Sequence, residues 1–443
     1  MKTFPPACLG ALLLLFPVST ATAQSQMLFG SLELFGQDFV ASSDPTLSSS
    51  IGVGADSQLV AGQGKLDLHE TLSFKEGELS VSDTVLWWQG ADGGTLQNDL
   101  LQAYVSVTAT PALTMVFGKQ RLSWGTGYAF FPGDKLNPPV NPQNRSEGFS
   151  GVSATFAPSS SFSISACVRI DTAFPEISQL PGLAYPASAD LASTLPFLSS
   201  RLPPAPTSPW LGLRYALYCQ AYLGDLDLHA GATGEWQRVL RPTVDFSLDL
   251  RGFILDGAVA VELVNSDLYP DASGGYSSPG FGTPFPLATI GIQRTESTDT
   301  ASLAATLEYL YDGTGYDSSQ ESKFLNDLFL TLTPGGPAET AAFLSSSAGS
   351  GWFSSGEVIP ALGRHYGALT VSGSITRVFS ASTDLVVNLQ DLSLALQAEV
   401  RFTRLEGIDI FARAAWAWGR DNRTEFGSSP VQLVASAGAA VHF

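Results

Sequence analysis

The chain reads as an all-β protein, a transmembrane antiparallel up-and-down barrel of about 18 strands (16–18). Three observations predict it. The last thirteen residues alternate, with Val431, Leu433, Ala435, Ala437, Ala439, Val441 and Phe443 apolar on one face and Gln432, Ser436, Gly438 and His442 on the other. A period of two places alternate side chains on opposite faces of a strand, lipid on one side and lumen on the other. The gaps between such segments are alternately short and long, as in a barrel with tight turns at one rim and longer loops at the other. Beyond the leader, no stretch approaches the ~18 uncharged apolar residues of a membrane helix.

The N-terminus bounds the compartment. Lys2, the apolar run Cys8 to Val18 and the small-x-small pattern Ala21-Thr22-Ala23 make residues 1–23 a secretory signal cut after Ala23. An exported chain without a membrane helix enters a bilayer only as a closed barrel. The whole sequence carries 22 basic and 41 acidic residues; loss of Lys2 leaves 21 basic, net −20. Such a balance excludes nucleic acid as a partner. Cys167 and Cys219 both fall inside predicted strands, so a bridge between them is not the expected state.

The mature region, 24–443, is one barrel domain. Strand 1 covers Met27–Phe39 and strand 2 Ser57–Phe74, followed by the turn Lys75-Glu76-Gly77 and strand 3, Leu79–Trp88. Strands 4 and 5 are Leu100–Thr108 and Leu113–Ser123, joined at Thr110-Pro111. Strands 6 and 7 are Phe149–Ala157 and Phe162–Asp171; strands 8 and 9 are Trp210–Tyr222 and Leu226–Trp236. Strands 10 and 11 are Thr243–Ile254 and Gly257–Asn265, with the turn at Asp256. Strands 12 and 13 are Leu287–Thr295 and Ser302–Tyr311. Strands 14 to 17 are Tyr366–Val378, Asp384–Leu389, Leu392–Thr403 and Ile408–Trp418, before the terminal strand. Gaps after even-numbered strands are short. Long outer loops fall at 124–148, 172–209, 266–286 and 312–364, the last with short helical stretches at Lys323–Leu332 and Ala338–Leu344.

Tryptophans give an independent check. Trp87, Trp88, Trp124, Trp210, Trp236, Trp416 and Trp418 all sit at strand ends on the long-loop side. Amphipathic rings collect at the lipid–water boundary, so these residues predict an aromatic girdle.

Gly118-Lys119-Gln120-Arg121-Leu122-Ser123-Trp124-Gly125, followed by Asp134-Lys135-Leu136-Asn137-Pro138, resembles a poorly characterised family of porin-like outer-membrane barrels. Its members carry a G-[RK]-Q-x-[ILV]-x-W-G strand end and a D-x-[IL]-N-P loop. Asn388-Leu389-Gln390-Asp391-Leu392-Ser393 and Trp418-Gly419 to Phe426-Gly427 also look like the ends of such barrels. Val441 and Phe443 are similar to the terminal assembly signal of bacterial outer-membrane barrels, which implies the barrel-assembly machinery as a partner. The motifs cover about a fifth of the residues; the long loops 172–209 and 312–364 depart from the pattern.

Lys119, Arg121 and Ser123 share one face of strand 5, and the lipid cost of a mid-bilayer cation, about 2–4 kcal/mol, turns that face to the lumen. The same face then carries Met115 and Phe117, which demands a bulge or an apolar patch. The cations either steer anionic solutes or brace the wall against Asp83 or Asp99. The third outer loop, stiffened by Pro132, Pro138, Pro139 and Pro142, carries Asp134, Lys135, Arg145 and Glu147. By resemblance to general porins it is the candidate constriction: with Lys119 and Arg121, four cations face two anions.

No HExxH, GxSxG or metal-ligand spacing appears, and His69 and His229 alternate with apolar residues as lumen polar groups. The expected function is therefore a porin-like outer-membrane channel, not an enzyme and without cofactor, for passive diffusion of small polar or anionic solutes. Its partners are outer-membrane lipids and a small-molecule solute; a homo-oligomer is compatible with the fold. A loop-plugged structural or adhesive barrel is the rival reading, and a surface hydrolase a remote one.

Overall fold

A computed structural model describes residues 25–41, 58–90, 93–122, 125–134, 136, 148–170, 213–236, 239–265, 269–271, 276–277, 279–331, 362–376, 378–405, 407–420, 424–427 and 431–443. Strands β1 (Ser25–Ala41), β2 (Gln58–Phe74), β3 (Gly77–Gly90), β4 (Gly93–Thr110), β5 (Leu113–Gln120), β6 (Phe149–Ser159) and β7 (Phe162–Arg169) pair in sequence order. They are followed by β8 (Arg214–Leu223), β9 (Leu226–Glu235), β10 (Val239–Leu250) and β11 (Phe253–Asn265). A two-residue hairpin, β12 (Tyr269–Pro270) with β13 (Tyr276–Ser277), stands apart from the barrel. Then come β14 (Gly280–Ser297), β15 (Ala301–Asp312), helix α1 (Ser318–Thr331) and β16 (His365–Ile375). The last strands are β17 (Phe379–Asn388), β18 (Ser393–Leu405), β19 (Ile408–Trp418) and β20 (Val431–His442). β20 pairs with β1, so 18 antiparallel strands form one closed sheet.

Closure removes every sheet edge, the condition for strands to lie in lipid. The outer face is apolar: Leu217, Val244, Val259, Ile290, Ile292, Leu303, Leu307, Val400 and Ile410 are all exposed. The inner face of the barrel carries Glu33, Thr233, Arg241, Asp245, Glu262, Thr306 and Glu308, all buried. No described helix is long and apolar enough to cross a membrane. Arg294 and Glu296 lie on the outer face next to the tight turn at 298–300, paired with each other, with the guanidinium over Phe253. Long basic side chains tolerate that position because it borders the polar interface.

Three differences from the sequence reading have physical causes. The β10–β11 turn is Arg251-Gly252, not Asp256: both turn residues have positive φ, 57° and 90°, as a two-residue type I′ hairpin requires. Asp256-Gly257 is turn-forming in isolation but here lies within β11, packed against Gly291 and the Phe246 ring. β14 begins at Gly280, inside the stretch read as loop, and runs through Pro284 and Pro286. Pairing with β15 starts only at Leu287, so those prolines occupy an edge segment with no ladder bond to lose. β4 likewise starts at Gly93, because its first residues pair with β3 beyond the reach of β5.

The helical expectation at 323–332 corresponds to α1, whereas 338–344 lies outside the described residues, as does the loop 172–209. Both Cys167 and Cys219 are free thiols.

Candidate functional site

Beyond β5, residues 125–134 and 136 fold inward. Tyr128 and Ala129 donate their N–H groups to the two Glu308 carboxylate oxygens at 2.5 and 2.6 Å, and Phe130 adds a third at 3.2 Å. Around the sheet of 18, β5 is the fifth strand and β15 the thirteenth, almost diametrically opposite. The loop therefore spans the lumen.

Its fastenings run along the wall between those strands. Thr126 Oγ1 donates to the Phe246 carbonyl, Arg241 Nη1 to the Pro132 carbonyl at 2.8 Å, Thr233 Oγ1 to the Gly133 carbonyl at 2.8 Å, and Arg169 Nη1 to the Leu136 carbonyl at 2.8 Å. Beyond Glu308, the Phe130 ring packs with Leu310, Tyr366 and Ala368 of β15 and β16. Gly127 permits the bend: a Cβ there would stand 2.1 Å from the Phe130 carbonyl oxygen. Hydrogen bonds to a charged group contribute about 1.5–3 kcal/mol each, so Glu308 is the strongest single restraint on the loop. At the other end Leu136 joins Phe149, Cys167 and Ala216 in a small core beside Leu122.

The sequence-predicted residues divide into three groups. Lys119 is buried near the end of β5, and Arg121 is half-buried just past it. Between Phe117, exposed on the outer face, and Lys119 stands Gly118 with φ of +123°, a local irregularity that separates the apolar and cationic parts of this strand. The inner-face hydrogen bond at this level comes from Gln120, whose Oε1 accepts from Ser153. Asp134 directs its carboxylate to the loop itself, accepting the Leu136 N–H at 3.0 Å. Lys135, Arg145 and Glu147 lie outside the described residues.

Of the girdle residues, Trp87, Trp236, Trp416 and Trp418 are exposed at the long-loop ends of β3, β9 and β19. Trp124, Trp210 and the Trp88 side chain are outside the described residues. Tyr309, 38% exposed on the outer face and bonded to His365 Nδ1 at 2.7 Å, extends the aromatic rim and was not among the residues expected there. Val441 and Phe443 are exposed at the end of β20.

Sequence reasoning missed the wall residues that hold the loop: Glu308, Arg241, Thr233 and Arg169. Alternation places each on the inner face, but nothing local tells which chain segment it meets. Most cations of this wall are matched by carboxylates. Arg214 meets Glu235 at 3.2 Å, Arg241 meets Glu262 at 3.0 Å, and Arg413 bridges Glu33 and Glu399. His229 lies between Asp245 and Asp227, at 2.6 and 2.9 Å. Among the described residues no group of three or more His, Cys, Asp or Glu is arranged to hold a metal.

A second packed assembly lies at the long-loop ends of the strands. Asp317 caps α1, accepting the Ser319 and Gln320 N–H groups at 3.0 Å, while Gln320 Oε1 accepts the Asp317 N–H. Tyr269, Tyr276, Tyr316, Phe324 and Leu325 are buried under it. Glu321 of α1 accepts from Gln390 Nε2 at 2.6 Å and from Asn388 Nδ2 at 3.2 Å; the same Asn388 nitrogen reaches Glu425 at 2.9 Å. Tyr366 donates to Glu425, whose own N–H is held by Asp391. Desolvation and the neighbouring Asp391 push the Glu321 carboxyl up to about 9 and that of Glu425 to about 8. The Asn388–Asp391 motif thus ties three chain segments together.

No protein-family model and no curated protein matches the chain. Solved structures do match in fold. OccAB1 from Acinetobacter baumannii aligns over 96% of this chain and 98% of its own, at 11% identity and a TM-score of 0.52. Wzi of Escherichia coli, an outer-membrane protein involved in group 1 capsule assembly and a carbohydrate-binding β-barrel, aligns over 100% of this chain and 90% of its own, at 10% identity and a TM-score of 0.51. With the closed sheet and its apolar belt, these likenesses give the chain the fold of porin-like outer-membrane β-barrels.

Proposed function

We propose that this barrel is a passive, non-catalytic channel for small polar solutes, anions included, of the porin-like group that carries the G-[RK]-Q-x-[ILV]-x-W-G and D-x-[IL]-N-P motifs. The observation that carries this reading is the loop 125–136, drawn across the lumen and fastened to the opposite wall through Glu308. A barrel of 18 strands is wide enough to hold an aqueous channel, and an inward loop reduces that channel to a size filter. Lys119 and Arg121 stand at the root of the loop and Glu308 with Asp256 on the far wall, so the two sides of the constriction differ in sign. In a narrow pore the nearest charges govern, because those beyond ~8–10 Å of electrolyte are screened. The cationic root gives anions a local path despite the net charge of −19.

The test is conductance of the purified protein in planar bilayers, before and after residues 126–131 are replaced by a short Gly-Ser link. The reading expects discrete steps that grow at least twofold in the variant. Equal steps from both proteins would contradict it. The packing of α1 and the β12–β13 hairpin over the mouth favours a second reading, a loop-plugged surface barrel, which expects no steps from either.

A further inference from the structure

Below the loop, on the side of the tight turns, the inner wall changes character. From Glu308 the chain of β15 runs through Thr306 and Ala304 to Ser302, and the facing positions of β16 and β17 are Thr370 with Asp384, Ser372 with Ser382, and Ser374 with Ser380. Here a cavity of about 360 Å³ opens, lined by the hydroxyls of Thr295, Ser302, Ser372, Ser374, Ser380 and Ser382, by Leu303, Ala304, Gly373 and Ala381 between them, and by Glu399. It begins about 13 Å from Glu308, four residues of strand at roughly 3.3 Å each, so a solute clearing the loop meets it next.

Two features define what this cavity suits. Six hydroxyls from four adjacent strands converge on it, and each can donate once and accept twice. Only one such valence pair is consumed within the lining, by Ser302 and Ser374 at 2.7 Å. Its one charged side chain, Glu399, is also engaged. Glu399 accepts from Arg401 Nε at 3.1 Å through one oxygen and from Arg413 Nε through the other, and those guanidiniums also meet Asp409 and Glu33. An isolated cation or anion therefore gains little here. A solute bearing several hydroxyls finds donors and acceptors in either sense on a wall of short side chains. The Phe411 ring nearby is covered by Arg413 at 4.2 Å and offers no stacking platform, so binding stays weak enough for release.

We infer that the inner wall of β14–β17 is a transit subsite for small neutral polyhydroxylated solutes such as monosaccharides. This rests on the channel reading and adds a solute class to it. The test measures flux of D-glucose against triethylene glycol, similar in size but poor in hydroxyls, through proteoliposomes, with KCl conductance recorded in parallel. Ser372→Val with Ser382→Val removes two facing hydroxyls; Ser372→Thr with Ser382→Thr has the same shape and retains them. Heat-modifiable mobility verifies folding of both. The expected result is a glucose-to-glycol flux ratio lowered at least fivefold by the Val pair and within twofold of wild type for the Thr pair. An unchanged ratio in the Val pair, or an equal fall in the Thr pair, overturns the subsite while leaving a conducting channel intact. A wild-type protein that passes no KCl current overturns the channel reading itself.

Discussion

Phe443 and Gly30 exchange both of their backbone hydrogen bonds, at 2.9 and 3.1 Å, and the Phe443 ring lies over the bare α-carbon of Gly30. A Cβ at residue 30 would stand 2.5 Å from the Asp67 carbonyl oxygen of β2 and 3.0 Å from that ring, so glycine lets β1 fit closely between β2 and the last residue of the chain. The register beyond runs from Ser31 with His442 to Ala41 with Val431. Closure of the barrel ends at this pair.

Deleting Phe443 should accordingly leave export intact and impair insertion, giving periplasmic aggregates or degradation. The measurement is the amount of heat-modifiable protein in the outer-membrane fraction. Normal levels in the deletion would remove the terminal residue from the assembly signal.

Arg121 and Lys119 are the cations at the root of the loop. Replacing both by Gln should move the reversal potential in a KCl gradient toward that of a cation-selective pore. An unchanged potential would make them braces of the wall instead.

The mouth network has a sign that can be worked out. Glu321 and Glu425 are raised to about 9 and about 8, first by desolvation and then by Asp391, so the folded state keeps protons that the free carboxyls release near 4.5. The native form binds more protons, and its stability falls as pH rises from about 4.5 to about 8–9 before levelling off. Docking of α1 should be firmest in acid. Hydrogen exchange of residues 318–331, corrected for intrinsic rates, should lose protection across that window, and Glu321→Gln should flatten the slope. Protection that grows with pH would contradict the assignment. Lys323 and Asp327 pair on the helix itself, Asp317 caps it, and Arg364, Tyr276 and Tyr316 face it, with Arg364 3.9 Å from Asp317.

Topology can be checked by labelling in a background where Cys167 and Cys219 are Ala. A cysteine placed at Ser322, exposed on α1, should react with an impermeant thiol reagent on intact cells, and one at Asp299, in the tight β14–β15 turn, should not. The opposite pattern would invert the barrel.

Much of this fold is legible in the sequence because lipid and lumen impose a period of two that few other environments demand. Leu303, Leu307 and Tyr309 against Thr306 and Glu308 announce the faces of β15 without any partner in view. Asp256-Gly257 misleads because turn chemistry is local, whereas the actual bend at Arg251-Gly252 is selected by pairing between β10 and β11. The Gly118 irregularity was foreshadowed by the mismatch of Phe117 with Lys119, since a regular strand would turn both to the same face, lipid or lumen. The inward fold of the loop was only half legible. Its prolines and position marked the loop, but the carboxylate that receives it is some 180 residues away in sequence. No spacing rule links Tyr128 to Glu308; only closure of the barrel brings β15 opposite β5.

The most direct measurement is single-channel conductance of the wild-type protein beside Glu308→Ala. Removing the carboxylate leaves three loop N–H groups without their acceptor while the barrel pairing is untouched. The account predicts resolved conductance steps for the wild type and larger, noisier steps for the variant, at least twice the size, as the loop comes away from the wall. Steps of identical size and noise in the two proteins would contradict it.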